Sequence, residues 1–307
     1  MAVTLGEFVS WLEGLIPPAF QEHYDNSGLQ AGDPSVEIDS VLLTLDVTPA
    51  VMEEAVSLGC NLVVSHHPLI FTPLKRLTYR SDAERSVAAA LRNDIAVYSA
   101  HTSFDNILQG VSHILAQKLG LERIRVLVPL TGKLSKLITF VPVTHAVMVR
   151  DALFTAGAGH IGNYDRCSFN VKGEGTYRPG EGADPFAGHA GEDHTEPEVR
   201  IEAVMPSHLA GACVRALLEA HPYEEVAYDI IALENEYHGA GAGAIGTLPA
   251  PLTGSELLAR LKLLTGMPCI RYSGDPSRPL TTVALCGGSG SGYIPAAARA
   301  GANAFIT

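Results

Sequence analysis

The stretch from Val41 to Ser65 constrains this chain more than any other. Val41 to Val47 is apolar enough for a strand. Thr48-Pro49 then supplies an N-cap and a proline at the first helical position, Glu53-Glu54 fall early in the helix, and Gly59 ends it. Asn61 to Ser65 is a second strand. A strand, a helix and a strand in this compass make a β-α-β unit, whose crossover leaves the strands parallel. The second strand runs straight into Ser65-His66-His67-Pro68, and Pro68 has no N–H with which to continue a ladder. Open parallel sheets gather their ligands at the carboxyl ends of strands. Two imidazoles at such an end are therefore a candidate site.

The pattern recurs. Ser81 with Glu84 caps a helix to about Asn93, Ile95 to Ala100 is a short strand, and a further helix spans about 109–119. The strand ends in His101-Thr102-Ser103-Phe104-Asp105. Parallel strands finish on one edge, so His66, His67, His101 and Asp105 are expected along one rim. Upstream, Leu5, Phe8, Val9, Leu12 and Leu15 have helical spacing behind the capping pair Thr4 and Glu7. The polar segment His23 to Gln30 reads equally as an ordinary turn or as a loop that touches the site.

From about residue 134 the character changes. Lys136–Val141, 166–173, Val199–Val204 and Val226–Leu233 read as strands, with helices from Thr144-His145 to Ala156 and from Ser207-His208 to Ala220. The Gly/Pro/acid-rich stretch 173–197 reads as loop, with His189 and His194 as solvated surface. The order β-α-β, loop, β-α-β suggests a ferredoxin-like unit inserted at 130–240. Residues 1–129 and 241–307 would form the main α/β domain. The run Gly239 to Gly246 reads as a flexible return, followed by a helix Ser255–Leu264, a strand Thr282–Cys286, a glycine loop 287–292, a helix Tyr293–Ala300 and a strand Asn303–Thr307. At an offset of 242 this last unit matches the first: Val41 with Val283, Leu43 with Leu285, Gly59 with Gly301, Asn61 with Asn303, Ser65 with Thr307. The counterpart of His66 would follow Thr307.

Histidines and a carboxylate with no thiolate motif beside them suit a nitrogen/oxygen metal site, for which Zn, Mn, Fe, Co or Ni all qualify. The competing reading is a metal-free site with hydrogen-bonded histidines. A carboxylate such as Asp105 can bridge two ions in hydrolytic displacement. The 287–292 loop lacks the Lys-Ser/Thr and the G-x-G-x-x-G spacing of phosphate loops. His221-Pro222-Tyr223-Glu224-Glu225 reads as a binding motif or a strand-entry turn. The net charge of −12 argues against nucleic acid and anionic membranes as partners. Five scattered cysteines without a C-x-x-C pair point to a reducing, cytoplasmic setting. Neither a signal peptide nor a membrane span is expected.

His66-His67-Pro68 together with His101-Thr102-x-x-Asp105 resembles the Ngg-interacting-factor-three-like family, whose members also go by the name GTP cyclohydrolase 1 type 2 homologues. Asp25-Asn26-Ser27-Gly28-Leu29-Gln30 is similar to an early motif of that family. Gly173-Glu174-Gly175 through Arg178-Pro179-Gly180, and the His221 to Glu225 segment, are similar to signatures of its inserted, PII/CutA-like domain. The resemblance covers nearly the whole chain. It implies an α/β fold: a two-lobed domain of repeated β-α-β units carrying the ferredoxin-like insert, assembled as a toroidal homohexamer. It implies two divalent ions per subunit with His66, His67 and Asp105 as ligands and His101 close by. A further histidine and glutamate ligand are expected beyond Thr307. Metal-dependent hydrolysis of a small or nucleotide-like substrate is the implied activity. The other expectation is a non-catalytic, metal-binding regulatory or scaffold hexamer.

Overall fold

The computed structural model describes residues 2–307. The chain divides into two compact units, one made of residues up to Pro129 with Gly239–Thr307, the other Leu130–His238. The architecture is α/β in the first unit and α+β in the second.

The first unit opens with α1 (Leu5–Leu15), closed at its start by the reciprocal Thr4/Glu7 capping box. Then come β1 (Gly28–Ala31), β2 (Val41–Thr44), α2 (Pro49–Leu58), β3 (Leu62–Ser65), α3 (Asp82–Arg92), β4 (Ala96–Ser99), a single turn α4 (Thr102–Asp105), α5 (Val111–Lys118) and β5 (Glu122–Leu130). β2, β3 and β4 are parallel, and the sheet order is β1-β4-β3-β2. Burial explains why these short runs hold. Leu62, Val63, Val97 and Tyr98 are fully buried, covered by α2 and α3 on one face and α1 on the other. β1 departs from the expected loop. It pairs antiparallel with β4, Gly28 opposite Ser99, with an irregularity between Leu29 and Ala31. Four residues with one large apolar side chain carry no readable period, and Leu29 joins the Leu5/Leu62/Tyr98 core only through tertiary packing.

The second unit runs β6 (Leu134–Pro142), α6 (Ala146–Thr155), β7 (Phe169–Tyr177), β8 (His194–Pro206), α7 (Ala210–Ala220) and β9 (Tyr228–Leu233). Its antiparallel sheet has the order β7-β8-β6-β9, a ferredoxin-like arrangement. Leu137, Val141, Val149, Leu153, Ile201 and Leu217 form the core between sheet and helices. The loop is shorter than composition suggests. β7 continues to Tyr177 and β8 begins at His194, because Glu174 and Glu196 sit in paired backbone that their polar side chains do not disfavour at a surface. His194 is therefore not free surface. Its Nε2 lies 3.1 Å from Glu196 Oε2 and its ring packs 5.2 Å from Tyr177.

The chain returns to the first unit through β10 (Tyr237–Thr253), then α8 (Gly254–Thr265), β11 (Pro279–Leu285), α9 (Ile294–Arg299) and β12 (Ala304–Ile306). The sheet order is β12-β11-β10-β5. The expected flexible return is instead the buried middle of β10: residues 240–246 are all buried. Small side chains are required there by close backbone approach. A Cβ at Gly241 would sit 2.1 Å from the Val128 carbonyl oxygen, and one at Gly246 would sit 2.9 Å from that of Glu122.

The repeat at offset 242 is present in three dimensions. Val41 pairs with Leu62 as Val283 pairs with Ala304, and each later pair keeps the same register. Asn61 Oδ1 accepts the N–H of Asp39 and of Ser40, and Asn303 Oδ1 accepts those of Thr281 and Thr282. Gly59 and Gly301 both take the left-handed conformation that ends the intervening helix.

Candidate metal centre

The β3 strand delivers Ser65, whose hydroxyl donates to the His67 carbonyl at 2.8 Å. This contact folds the chain at Pro68 and draws the two adjacent rings to one side, 5.0 Å apart, where an ideal strand would point them to opposite faces. β4 and the start of α4 place His101 with its ring 5.3 Å from His66 and 5.5 Å from His67. The three rings come from two neighbouring strand ends.

Each imidazole is fixed at Nδ1. That of His66 donates to the Ala100 carbonyl (3.0 Å), that of His67 to Asp46 (2.7 Å) and that of His101 to Asp25 (2.8 Å). A carbonyl or ionised carboxylate only accepts, so Nδ1 carries the proton and Nε2 keeps its lone pair. The three rings present ligand atoms all within 4.8 Å of one another. Asp105 Oδ1 lies 3.8 Å from His66 Nε2. Oxygen-anchored imidazoles of this kind are how metal sites orient their histidines.

Electrostatics favour a cation. Burial lowers the pKa of His66, against the attraction of Asp105. Burial likewise holds Asp105 above the usual carboxylate range, only partly offset by His66 and His101. No Lys or Arg pairs with Asp105 among the described residues. Nitrogen lone pairs and a carboxylate thus converge with no positive side chain between them, a donor set that fits a divalent ion.

Asp25 is the buried anchor of the arrangement, with a fully covered side chain. Burial alone would raise its pKa. Hydrogen bonds from Thr102, His101 and Ser27 overcome this and hold it at about 2. The 23–30 segment therefore touches the site, and the Asp25 contact spans 76 residues of sequence. Asp46, just beyond β2, was accessible to the same strand-end reasoning that found His66, because β2 ends on the same rim. The other lobe contributes Cys286, at the end of β11. Burial, with the charges of Asp105 and Glu22, pushes its thiol up to about 11, so it is protonated at neutral pH.

The sequence model of Duf34/NIF3 (NGG1p interacting factor 3) matches residues 3–307. This chain belongs to the NGG1p interacting factor 3 family. Among curated relatives of that family, the "GTP cyclohydrolase 1 type 2 homolog" of Halalkalibacterium halodurans is 39% identical, over 100% of this chain and 83% of that protein. The protein of the same name from Bacillus subtilis is 39% identical over 98% and 81%. The crystal structure of a Bacillus cereus protein related to NIF3 superposes with a TM-score of 0.88 at 39% identity, covering 100% of this chain and 82% of that one. Staphylococcus aureus SA1388 follows at 0.74 and 27%, over 100% and 81%.

Proposed function

We propose that this protein is a metal-dependent hydrolase of small or nucleotide-like substrates, with His66, His67, His101 and Asp105 holding divalent metal, two ions per subunit. One observation carries the reading: three imidazoles, each tied through Nδ1 to an oxygen, offer ligand atoms within 4.8 Å of one another. A divalent ion there supplies a Lewis acid that polarises a phosphoryl or carbonyl oxygen and lowers the pKa of water.

The chain's own groups supply the rest. Asp25 and Asp46 hold the rings of His101 and His67 in the tautomer that leaves Nε2 free. Asp105, partly buried and close to His66, is placed to take up positive charge or to hold a proton at its carboxylate. The relatives' name, GTP cyclohydrolase 1 type 2 homolog, supports nucleotides as the first substrates to test.

The test is metal content of the purified chain by mass spectrometry, followed by hydrolysis assays on GTP and on aryl phosphoesters. The expected result is bound divalent metal and turnover that a chelator abolishes and added metal restores. Metal-loaded protein that turns over none of these substrates would remove the hydrolase reading. Metal content unchanged in His66→Ala and His101→Ala would remove the site itself.

A further inference from the structure

Remote in sequence from the histidine rim, the ferredoxin-like unit has a cleft of about 490 Å³. Its wall is built from Tyr177 at the end of β7, Glu198 on β8, Phe186 in the connecting loop, and the turn Tyr223-Glu224-Glu225. Carboxylates Glu174, Glu198, Glu224 and Glu225 line it, and no Lys, Arg or His does so among the described residues. The nearby Arg178 is turned away, engaged through both Nε and Nη2 by Asp193 at 2.7 and 2.8 Å.

Rings form a cage beside these acids. Tyr223 lies 6.0 Å from Tyr177 and 5.9 Å from Phe186, centroid to centroid. Glu198 is the buried acid of the set, 8% exposed, with Oε1 accepting the Tyr223 hydroxyl at 2.8 Å. Space is reserved for that carboxylate: a Cβ on Gly175 would stand 2.3 Å from Glu198 Oε2. The sequence motif around His221 now has a physical role. The Tyr223 N–H donates to His221 Nδ1 at 3.1 Å, so the ring proton sits on Nε2 and donates to the Phe140 carbonyl at 3.0 Å. His221 is thus a neutral, fully used imidazole that shapes the turn and leaves the charge of Glu198 without a cation.

We propose that this cleft binds an organic ammonium ion, a protonated primary amine on an apolar or aromatic body. Three features select that class together. Ring faces attract cations, a buried carboxylate takes the N–H donors of an ammonium, and the surrounding acids repel phosphates and carboxylates. The cleft shares no lining residue with the histidine rim, and the inference does not depend on the hydrolase reading.

The test is calorimetric titration of the full chain at pH 7 with 2-phenylethylammonium and with 2-phenylethanol, its neutral counterpart. The amine should bind about tenfold or more tighter than the alcohol. Glu198→Gln, which keeps the volume and an acceptor for Tyr223, should weaken the amine about tenfold and leave the alcohol unchanged. Phe186→Ala, at an exposed rim position, should weaken the amine severalfold without affecting folding, and it serves if Glu198→Gln does not fold. Equal binding of amine and alcohol, no amine binding at millimolar concentration, or an amine affinity indifferent to both substitutions overturns the proposal.

Discussion

The two β-α-β units of the main domain share a scaffold and differ at their tips. In both, parallel strands pair in the same register, a left-handed glycine ends the helix, and an asparagine clasps two backbone N–H groups at the strand entrance. Past the last paired residue they diverge. β3 leads to His66 and His67, held by Ala100 and Asp46. In the second unit Thr307, the counterpart of Ser65, spends its hydroxyl on the glycine loop, accepting the Gly290 N–H and donating to the Gly288 carbonyl. The scaffold sets where a side chain arrives; the residue just beyond the strand decides what it does there.

The largest expected effect separates the tips. His66→Ala should reduce metal affinity by more than about 100-fold, since even outer-shell losses reach that size, whereas Thr307→Ala should leave bound metal per chain unchanged. Metal analysis after dialysis reads both. Equal loss in the two would erase the contrast. Next is the anchor: Asp25→Asn should cost about 10–100-fold in metal affinity, because an amide no longer enforces the His101 tautomer as a carboxylate does.

Acid stability gives a third measure. The carboxyl of Asp25 is held at about 2, below the 3.8 of an ordinary aspartate. A depressed carboxyl stabilises the fold above its unfolded value and loses that contribution as pH falls, here between about pH 4 and pH 2. The contribution is about 2 kcal/mol. Urea denaturation across that window should show the fall in the parent chain and a flatter limb in Asp25→Asn. The smallest effect tests the sameness of the scaffold. Asn61→Ala and Asn303→Ala should each cost about 1–2 kcal/mol in the same assay, with Asn61, the less exposed, at the upper end. A loss confined to one of them would mean that the repeat is one of form without shared energetics.

Most of this framework was legible in advance, for physical reasons that can be located. Thr48-Pro49 to Gly59 and Ser81 to Asn93 announce their helices because caps are local chemistry, and both helices occur between those residues. The apolar runs that follow these helices, β3 and β4, are buried on both faces and stand out without alternation, whereas β2 is an edge strand with Leu43 exposed. β10 was illegible because alanine and glycine signal flexibility in isolation. Only the approach of β5 and β11 turns them into packing residues. β1 was illegible because its partner is 71 residues away in sequence, Ser99 against Gly28. At the rim, the histidines and Asp105 follow from strand ends alone. Of the acids that orient His67 and His101, Asp46 lies at β2's end, within reach of the same strand-end reasoning, whereas Asp25 comes from the 23–30 segment and no local pattern ties it to an imidazole.

The way the ferredoxin-like unit is spliced in has a topological consequence. β5, which leads into it, and β10, which leads out, are neighbours in one sheet. Within the unit, Leu134 at its first strand pairs with Leu233 at its last. Both the socket and the plug therefore hold their chain ends about one strand spacing apart, near 5 Å. Joining them adds almost no loop-closure entropy to either fold. A short turn from Leu130 to Tyr237 in place of the whole unit is expected to leave a chain that still builds the rim of His66, His67 and His101.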